Sequence, residues 1–240
     1  DASRIKAKVK NGRLSGKKYP VTDGSIADFA VVVARDEANE IGLYFCDLST
    51  SGITSTPIET IDPSRNTVSF NFENAEVEPL GDAWLGWQSV QNLLDQAAII
   101  LAFEQLGGAQ ACLEMARDYA IERYAFGRPI GSFQAVKHKL ANVYIASELA
   151  RSNAYYGAWA LGEYSTELSQ AAATAHLSAC KAFQLAAREN IQTHGGMGIT
   201  WEADCHMYFR RARTLGLEIG GPIFWQERLM SQLEQQALAG

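Results

Sequence analysis

Arg123-Tyr124-Ala125-Phe126-Gly127-Arg128-Pro129-Ile130-Gly131-Ser132-Phe133-Gln134 and Gln192-Thr193-His194-Gly195-Gly196-Met197-Gly198-Ile199-Thr200 are the two stretches that decide how this chain is read. The first ends a helix, turns through glycine and proline, and starts a new helix at Phe133 and Gln134. It gathers a guanidinium, an aromatic ring and an amide in a short space, a set suited to a phosphate and a planar base. The second is a glycine-rich loop between two helices, where a ligand can approach the backbone and the next helix offers free N–H groups. Each alone has a plainer reading: the first as a helix stop, the second as a C-cap and turn.

The segments around them keep a helical period. From Trp87 to Tyr124 runs one long signal, rich in Leu, Ala and Ile and free of proline. Its centre, Ala97–Phe103, is apolar on every side, which predicts burial all round, within this chain or in an interface between chains. Val136, Leu140, Val143, Ser147, Ala150 and Ala154 recur at spacings of four and three and predict a bundle seam. A third, alanine-rich helix is expected from Thr166 to Thr193, with two shorter ones around Glu202–Leu215 and Ile223–Ala237. Residues 83–240 therefore read as an up-and-down helical bundle.

Residues 1–82 keep time in twos. Ile5, Ala7 and Val9 alternate with Lys6, Lys8 and Lys10, and Asn11-Gly12 supplies a hairpin turn before Leu14. Phe29–Ala34 and Ile41–Cys46 are β-rich runs around the polar loop Asp36–Glu40, and Val68, Phe70 and Phe72 alternate with Ser69, Asn71 and Glu73. This half predicts an antiparallel β barrel or sandwich, and the whole an α+β chain with the period changing near Gly81-Asp82.

Composition narrows the function classes. With 240 residues, 47% of them hydrophobic and 20% charged, the chain is long enough to bury a core without staples. A net charge of −6 argues against a general nucleic-acid binder. No apolar run approaches the roughly 18 residues of a membrane span, and no signal-peptide layout opens the chain, so a cytoplasmic protein is expected. Cys46, Cys112, Cys180 and Cys205 lie far apart and read as reduced core thiols. His138, His176, His194 and His206 have no zinc spacing, and Asp204-Cys205-His206 reads as three helical neighbours facing different ways.

Taken together and in this order, the two glycine-containing segments resemble the acyl-CoA dehydrogenase family of flavoproteins. R-x-x-F-G-x-P-I-x-x-F-Q is complete at Arg123–Gln134 and Q-x-x-G-G-x-G at Gln192–Gly198. The resemblance spans the chain: residues 1–82 are similar to the family's flavin-side β domain, from Leu14-Ser15-Gly16-Lys17-Lys18 through Thr22-Asp23-Gly24, and 83–240 to its C-terminal helical domain. It implies a tetramer of helical bundles, FAD at a subunit interface, and an acyl-CoA substrate oxidised between its α and β carbons. It also implies that Arg123, Phe126, Gln134, Gln192, Gly195 and Gly196 contact the ADP half of a neighbour's FAD, and that Thr22 presents a hydroxyl to the flavin. The chain would begin where the family's flavin-binding strand has just ended, beyond its amino-terminal helical domain.

Three departures bear on activity. The family's stacking aromatic near the flavin is replaced in Pro20-Val21-Thr22. The usual Tyr-Glu-Gly-Thr aligns with Glu218-Ile219-Gly220-Gly221, so Ile219 stands at the base position and Gly221 where a threonine touches FAD. The alternative base slot, on the first bundle helix, falls at Ala97. Remaining carboxylates are Glu218, one residue off register, Glu104, expected on a buried helix where desolvation would raise its pKa, and Asp95 on another face. The pattern implies a companion subunit of a heteromeric (α2β2) dehydrogenase of the steroid-CoA type, in partnership with a homologous chain. The alternatives are a self-sufficient homotetramer with Glu218 or Glu104 as base, and a non-redox binding protein that has lost FAD. The Arg210-Arg211-x-Arg213 cluster reads either as a phosphate contact or as a solvated helix face.

Overall fold

A computed structural model describes residues 2–81 and 86–239. The expected boundary between residues 82 and 83 lies outside the described residues. The chain divides into two compact units, Asp1–Leu93 and Leu94–Gly240.

The first unit is built on one sheet of seven strands: β1 (Lys8–Lys10), β2 (Arg13–Thr22), β3 (Phe29–Arg35), β4 (Ile41–Asp47), β5 (Ile53–Pro57), β6 (Thr67–Glu76) and β7 (Glu78–Pro79). Their order is β5-β6-β2-β1-β3-β4-β7, and the sheet does not close on itself. Asn11 and Gly12 take φ of 49° and 69°, the left-handed pair that a two-residue hairpin turn requires. The alternation read in the sequence places Val68, Phe70 and Phe72 in the core with Leu14, Val32, Ala34 and Cys46. Every strand pair is antiparallel except β1–β3, which meets in parallel at Lys8 and Arg35.

The second unit holds most of α1 (Gly86–Glu122), a short hairpin of β8 (Tyr124–Ala125) and β9 (Arg128–Pro129), then α2 (Gln134–Gly162), α3 (Leu168–His194), α4 (Cys205–Leu215) and α5 (Pro222–Ala239). Helix α3 is central, because all three apolar clusters of the bundle include it. It meets α1 and α2 through Ala175, Ala179 and Ala182, and α4 through Phe183, Ala186 and Ala187. Trp225 of α5 is packed against Ala172 and Ala173 at its other end. Side chains this small let helix axes approach closely. Where a large one intervenes, a glycine answers it: a Cβ on Gly108 would lie 2.4 Å from the Phe183 ring.

The α2 seam follows the sequence pattern at Val143, Ser147, Ala150 and Ala154, and continues through Gly157 and Ala160, while Val136 and Leu140 are only half-buried. Helix α1 departs from expectation. Ala98, Ile99 and Ala102 are buried, but Ile100 is 65% exposed and Phe103 is also exposed. The neighbouring helices cover one stripe of α1, so an all-apolar segment leaves its opposite face uncovered within this chain.

Few polar side chains are buried inside the bundle, and some of them pair with one another. Asp95 of α1 receives two hydrogen bonds from Arg228 of α5, at 2.9 and 2.6 Å, with side-chain exposures of only 4% and 12%. This is bidentate pairing out of water, which suits a planar guanidinium. Gln105 Nε2 donates to Cys180 Sγ at 3.1 Å, and His176 Nε2 lies 3.5 Å from the same sulfur. All four cysteines are free and buried; burial pushes Cys112 up to about 12 and Cys180 up to about 11, so both stay protonated and inert. No described helix is long and apolar enough to cross a membrane.

Two outcomes follow from this core. Burial holds His176 down to about 4, from an ordinary 6.5. Below pH 6.5 the unfolded chain takes up a proton that the folded chain refuses, until the pH falls to about 4. Stability should thus decline across that window by up to about 1.4 kcal/mol per pH unit from this group alone. Urea melts of wild type and His176→Leu, compared at pH 7 and pH 4.5, should show the smaller pH loss in the variant. Ala179→Leu should lower stability by about 1–3 kcal/mol, through overpacking where α1, α2 and α3 meet.

Candidate cofactor-binding site

The first motif is built as a miniature hairpin. Tyr124 pairs with Pro129 and Ala125 with Arg128, leaving Phe126 and Gly127 as its two-residue loop. Both are left-handed, with φ of 54° and 78°. Glycine adopts this freely, whereas phenylalanine does so at a cost of about 1–3 kcal/mol. The result is an aromatic ring thrown clear of the surface, 96% exposed, set edge-to-face with Phe133 at 6.2 Å between centroids. The turn is closed by the Ile130 N–H donating to Arg123 O at 2.8 Å. Gly131 lets the chain press against α1, since a Cβ there would lie 2.9 Å from Ala120 O. The side chains of Arg123 and Gln134 are exposed. The stacked guanidinium belongs to Arg128, 4.0 Å above the Phe133 ring, which leaves Arg123 without an ion-pair partner among the described residues.

In the second motif the three glycines do different work. Gly195 caps α3 with φ of 61°, its N–H donating to Gln192 O and Ile191 O. A Cβ on Gly195 or Gly196 would meet nothing within 4 Å, so both present bare backbone outward. Gly198 is buried, and a Cβ there would fall 2.7 Å from Ile191 O. Only the first pair is open to a ligand; the third glycine exists for packing.

A contact not anticipated from the sequence joins the two motifs. The Tyr119 ring, one turn before Arg123, stacks on His194 at 4.2 Å and 28°. The Arg123 N–H donates to Tyr119 O at 2.8 Å, and His194 Nδ1 lies 2.9 Å from Asn190 O. The arginine turn and the glycine loop are thereby brought to one end of the bundle. The available signal was an aromatic on the last inward turn of α1 and a histidine directly before the glycines.

The remaining candidates are dispersed. Thr22 ends β2 opposite Thr67, half-buried, beside the Asp23–Arg65 ion pair. Glu104 does not have the desolvated setting expected of it: it is 40% exposed and receives a hydrogen bond from Arg211 at 3.0 Å, because it projects from the uncovered side of α1. Glu218 is half-buried in the turn between α4 and α5, and Ile219 packs into the apolar cluster around Trp225. Asp95 is taken up by Arg228. The arginine cluster is likewise engaged: Arg210 lies over Trp201 at 5.2 Å and Arg213 over Phe209 at 5.0 Å. Among the described residues no group of three His, Cys, Asp or Glu is placed to hold a metal.

Residues 85–221 match the model of the acyl-CoA dehydrogenase C-terminal domain. The chain is 36% identical over 213 residues to the acyl-CoA dehydrogenase IpdE2 of Mycobacterium tuberculosis, an alignment covering 89% of this chain and 59% of that protein. Among solved structures it is similar to the Tcur3481-Tcur3483 steroid ACAD, with TM-score 0.86 and 29% identity over 97% of this chain and 63% of the other. It is also similar to the ChsE4-ChsE5 complex of Mycobacterium tuberculosis, with TM-score 0.84 and 26% identity over 96% and 62% of the two chains. The chain thus spans about three-fifths of the length of IpdE2.

The division of labour among the glycines can be checked by substitution. Gly196→Ala should leave thermal stability within about 0.5 kcal/mol of wild type. Gly198→Ala should cost about 1–3 kcal/mol by overpacking against Ile191.

Proposed function

Because this chain belongs to the acyl-CoA dehydrogenase family, we propose that it acts as a companion subunit of an FAD-dependent acyl-CoA dehydrogenase, lending the contacts for the ADP half of FAD to a homologous catalytic chain. The observation that carries this reading is a contrast. The position that the resemblance gives to the base holds Ile219, packed against an apolar cluster, and the alternative slot holds Ala97, whereas the arginine turn and glycine loop that would cradle a pyrophosphate are complete in sequence and open.

The residues present fit the ADP half. Arg123 supplies an exposed guanidinium with no ion-pair partner among the described residues for a phosphate, and Gly195 and Gly196 leave bare backbone open to close approach by a ligand. Phe126 offers a bare ring for a planar partner, and Gln134 and Gln192 offer amides for the polar edge of a nucleotide. When bound, FAD would supply a hydride acceptor for the β-carbon of the acyl chain. Removing the α-proton needs a positioned base, and neither Ile219 nor Ala97 can hold a proton. That task falls to the partner chain. The likeness to a steroid ACAD and to a two-protein complex supports a steroid-type acyl-CoA thioester and a heteromeric assembly. A second reading, a self-sufficient enzyme, draws on Glu218, which lies half-buried next to the base position.

The chain purified alone should not bleach a flavin absorbance on anaerobic addition of acyl-CoA thioesters. Co-expressed with a homologous subunit it should yield a yellow complex that does bleach. Arg123→Ala should cut FAD retention of that complex by about tenfold or more, as loss of a charge-assisted phosphate contact does. Glu218→Gln and Glu104→Gln should leave bleaching intact. Bleaching by the chain alone, abolished by one of these glutamine substitutions, would establish the second reading instead.

A further inference from the structure

Among the described residues, Asn11, Asp23, Asn39, Asn74, Phe126 and Tyr164 adopt positive φ without being glycine. Asn and Asp tolerate the left-handed region, because their short side chains can hydrogen-bond locally. The two aromatic residues have no such excuse, and both hold their rings in solvent, Phe126 at 96% and Tyr164 at 92% exposure. Phe126 belongs to the arginine turn. Tyr164 lies beyond the other end of α2, outside that site.

The way α2 ends forces the strain. The Ser165 N–H donates to Ala160 O at 2.9 Å and the Tyr164 N–H to Leu161 O at 3.4 Å, the two bonds of a Schellman motif. Tyr164, with φ of 50°, thus fills the position just past the helix that glycine or asparagine ordinarily takes. Its ring stacks on no other ring among the described residues and buries almost nothing. An outlier of this kind, with no packing to offset it, points to a function for the side chain.

The surroundings indicate which function. On the last turns of α2 the Tyr156 and Trp159 rings, both exposed, stack at 5.6 Å and 21°. The Tyr156 hydroxyl donates to Glu167, just after the turn. Glu163 is exposed, and its carboxylate has no partner among the described residues. Between residues 152 and 180 the chain has no Lys or Arg, and apart from the buried His176 its ionisable basic and acidic groups are Glu163 and Glu167 alone. Bare aromatic faces beside uncompensated carboxylates are the complement of a guanidinium, whose plane stacks on a ring while its N–H fork pairs with a carboxylate. Exposed Tyr and Trp are also the residue types that anchor protein interfaces. We propose that the turn joining α2 to α3 is a docking surface for a protein partner that presents an arginine side chain, received by Tyr164, the Tyr156–Trp159 pair and Glu163. The surface shares no residue with the FAD contacts proposed above and does not depend on them.

Titrating the purified chain, at physiological salt, with a short peptide of alternating glycine and arginine tests this. The Trp159 indole N–H resonance, assigned by its loss in Trp159→Phe, should shift saturably. The arginine peptide should bind at least about threefold more tightly than its lysine counterpart, which lacks the planar fork. Tyr164→Asn should weaken the arginine peptide by about fivefold or more, through loss of the stacking face. The melting temperature of that variant should stay level or rise, because asparagine accepts the left-handed position. No saturation, equal binding of the two peptides, or full binding by Tyr164→Asn would overturn the proposal. So would a lower melting temperature in Tyr164→Asn, which would make the ring a support of the turn. Flavin retention of the complex, which tests the subunit reading, is a separate measurement on separate residues.

Discussion

The helical unit depends on the small side chains of α3. Ala171, Ala172, Ala173, Ala175, Ala179, Ala182, Ala186 and Ala187 are all buried, on nearly every side of the helix. One helix can contact four others only if its own side chains occupy little room. Larger residues at these positions would push α1, α2, α4 and α5 outward, and packed interiors relax only partly to absorb such volume. One polar pair admitted to this core, Asp95–Arg228, closes on itself across α1 and α5.

That packing also creates the site. α1 and α3 end side by side, so a turn that follows one and a loop that follows the other meet without any long connection. The Tyr119–His194 stack is the visible joint. Beyond it the chain meets contrary demands: Phe126 and Gly127 are left-handed so that a ring stands free, and Gly195 and Gly196 stay bare so that backbone is reachable. Gly198, two residues further on, is there because there is no room for anything else. Of three glycines in a row of four, two leave backbone open and one makes room for packing.

Much of this was legible from local pattern. Alternation placed Val68, Phe70 and Phe72 inside the sheet, Asn11-Gly12 marked the hairpin, and the run from Trp87 to Tyr124 became a single helix with nearly those bounds. The two motifs located the arginine turn and the glycine loop, because each carries turn chemistry that few residue types can perform. What escaped was non-local. The parallel β1–β3 pair depends on a crossover that no period of two can announce. The exposure of Ile100 and Phe103 depends on which neighbours arrive, and a uniformly apolar segment does not say which of its faces they cover. For the same reason Glu104 proved to be an ion-paired group on an open side of α1, and Arg128, not Arg123, took the aromatic ring.

By itself, then, the amino-acid sequence determined the element types, the order of a β half and a helical half, the family, and the absence of a carboxylate at Ile219 and Ala97. These are properties of short windows, set by backbone preference, periodicity and residue identity. Only the tertiary structure decided that His194 clasps Tyr119, that Ile219 packs, half-buried, against an apolar cluster, and that Arg228 closes on Asp95. Each of those depends on distances between residues far apart in the chain, and such distances are fixed by the packing of whole helices.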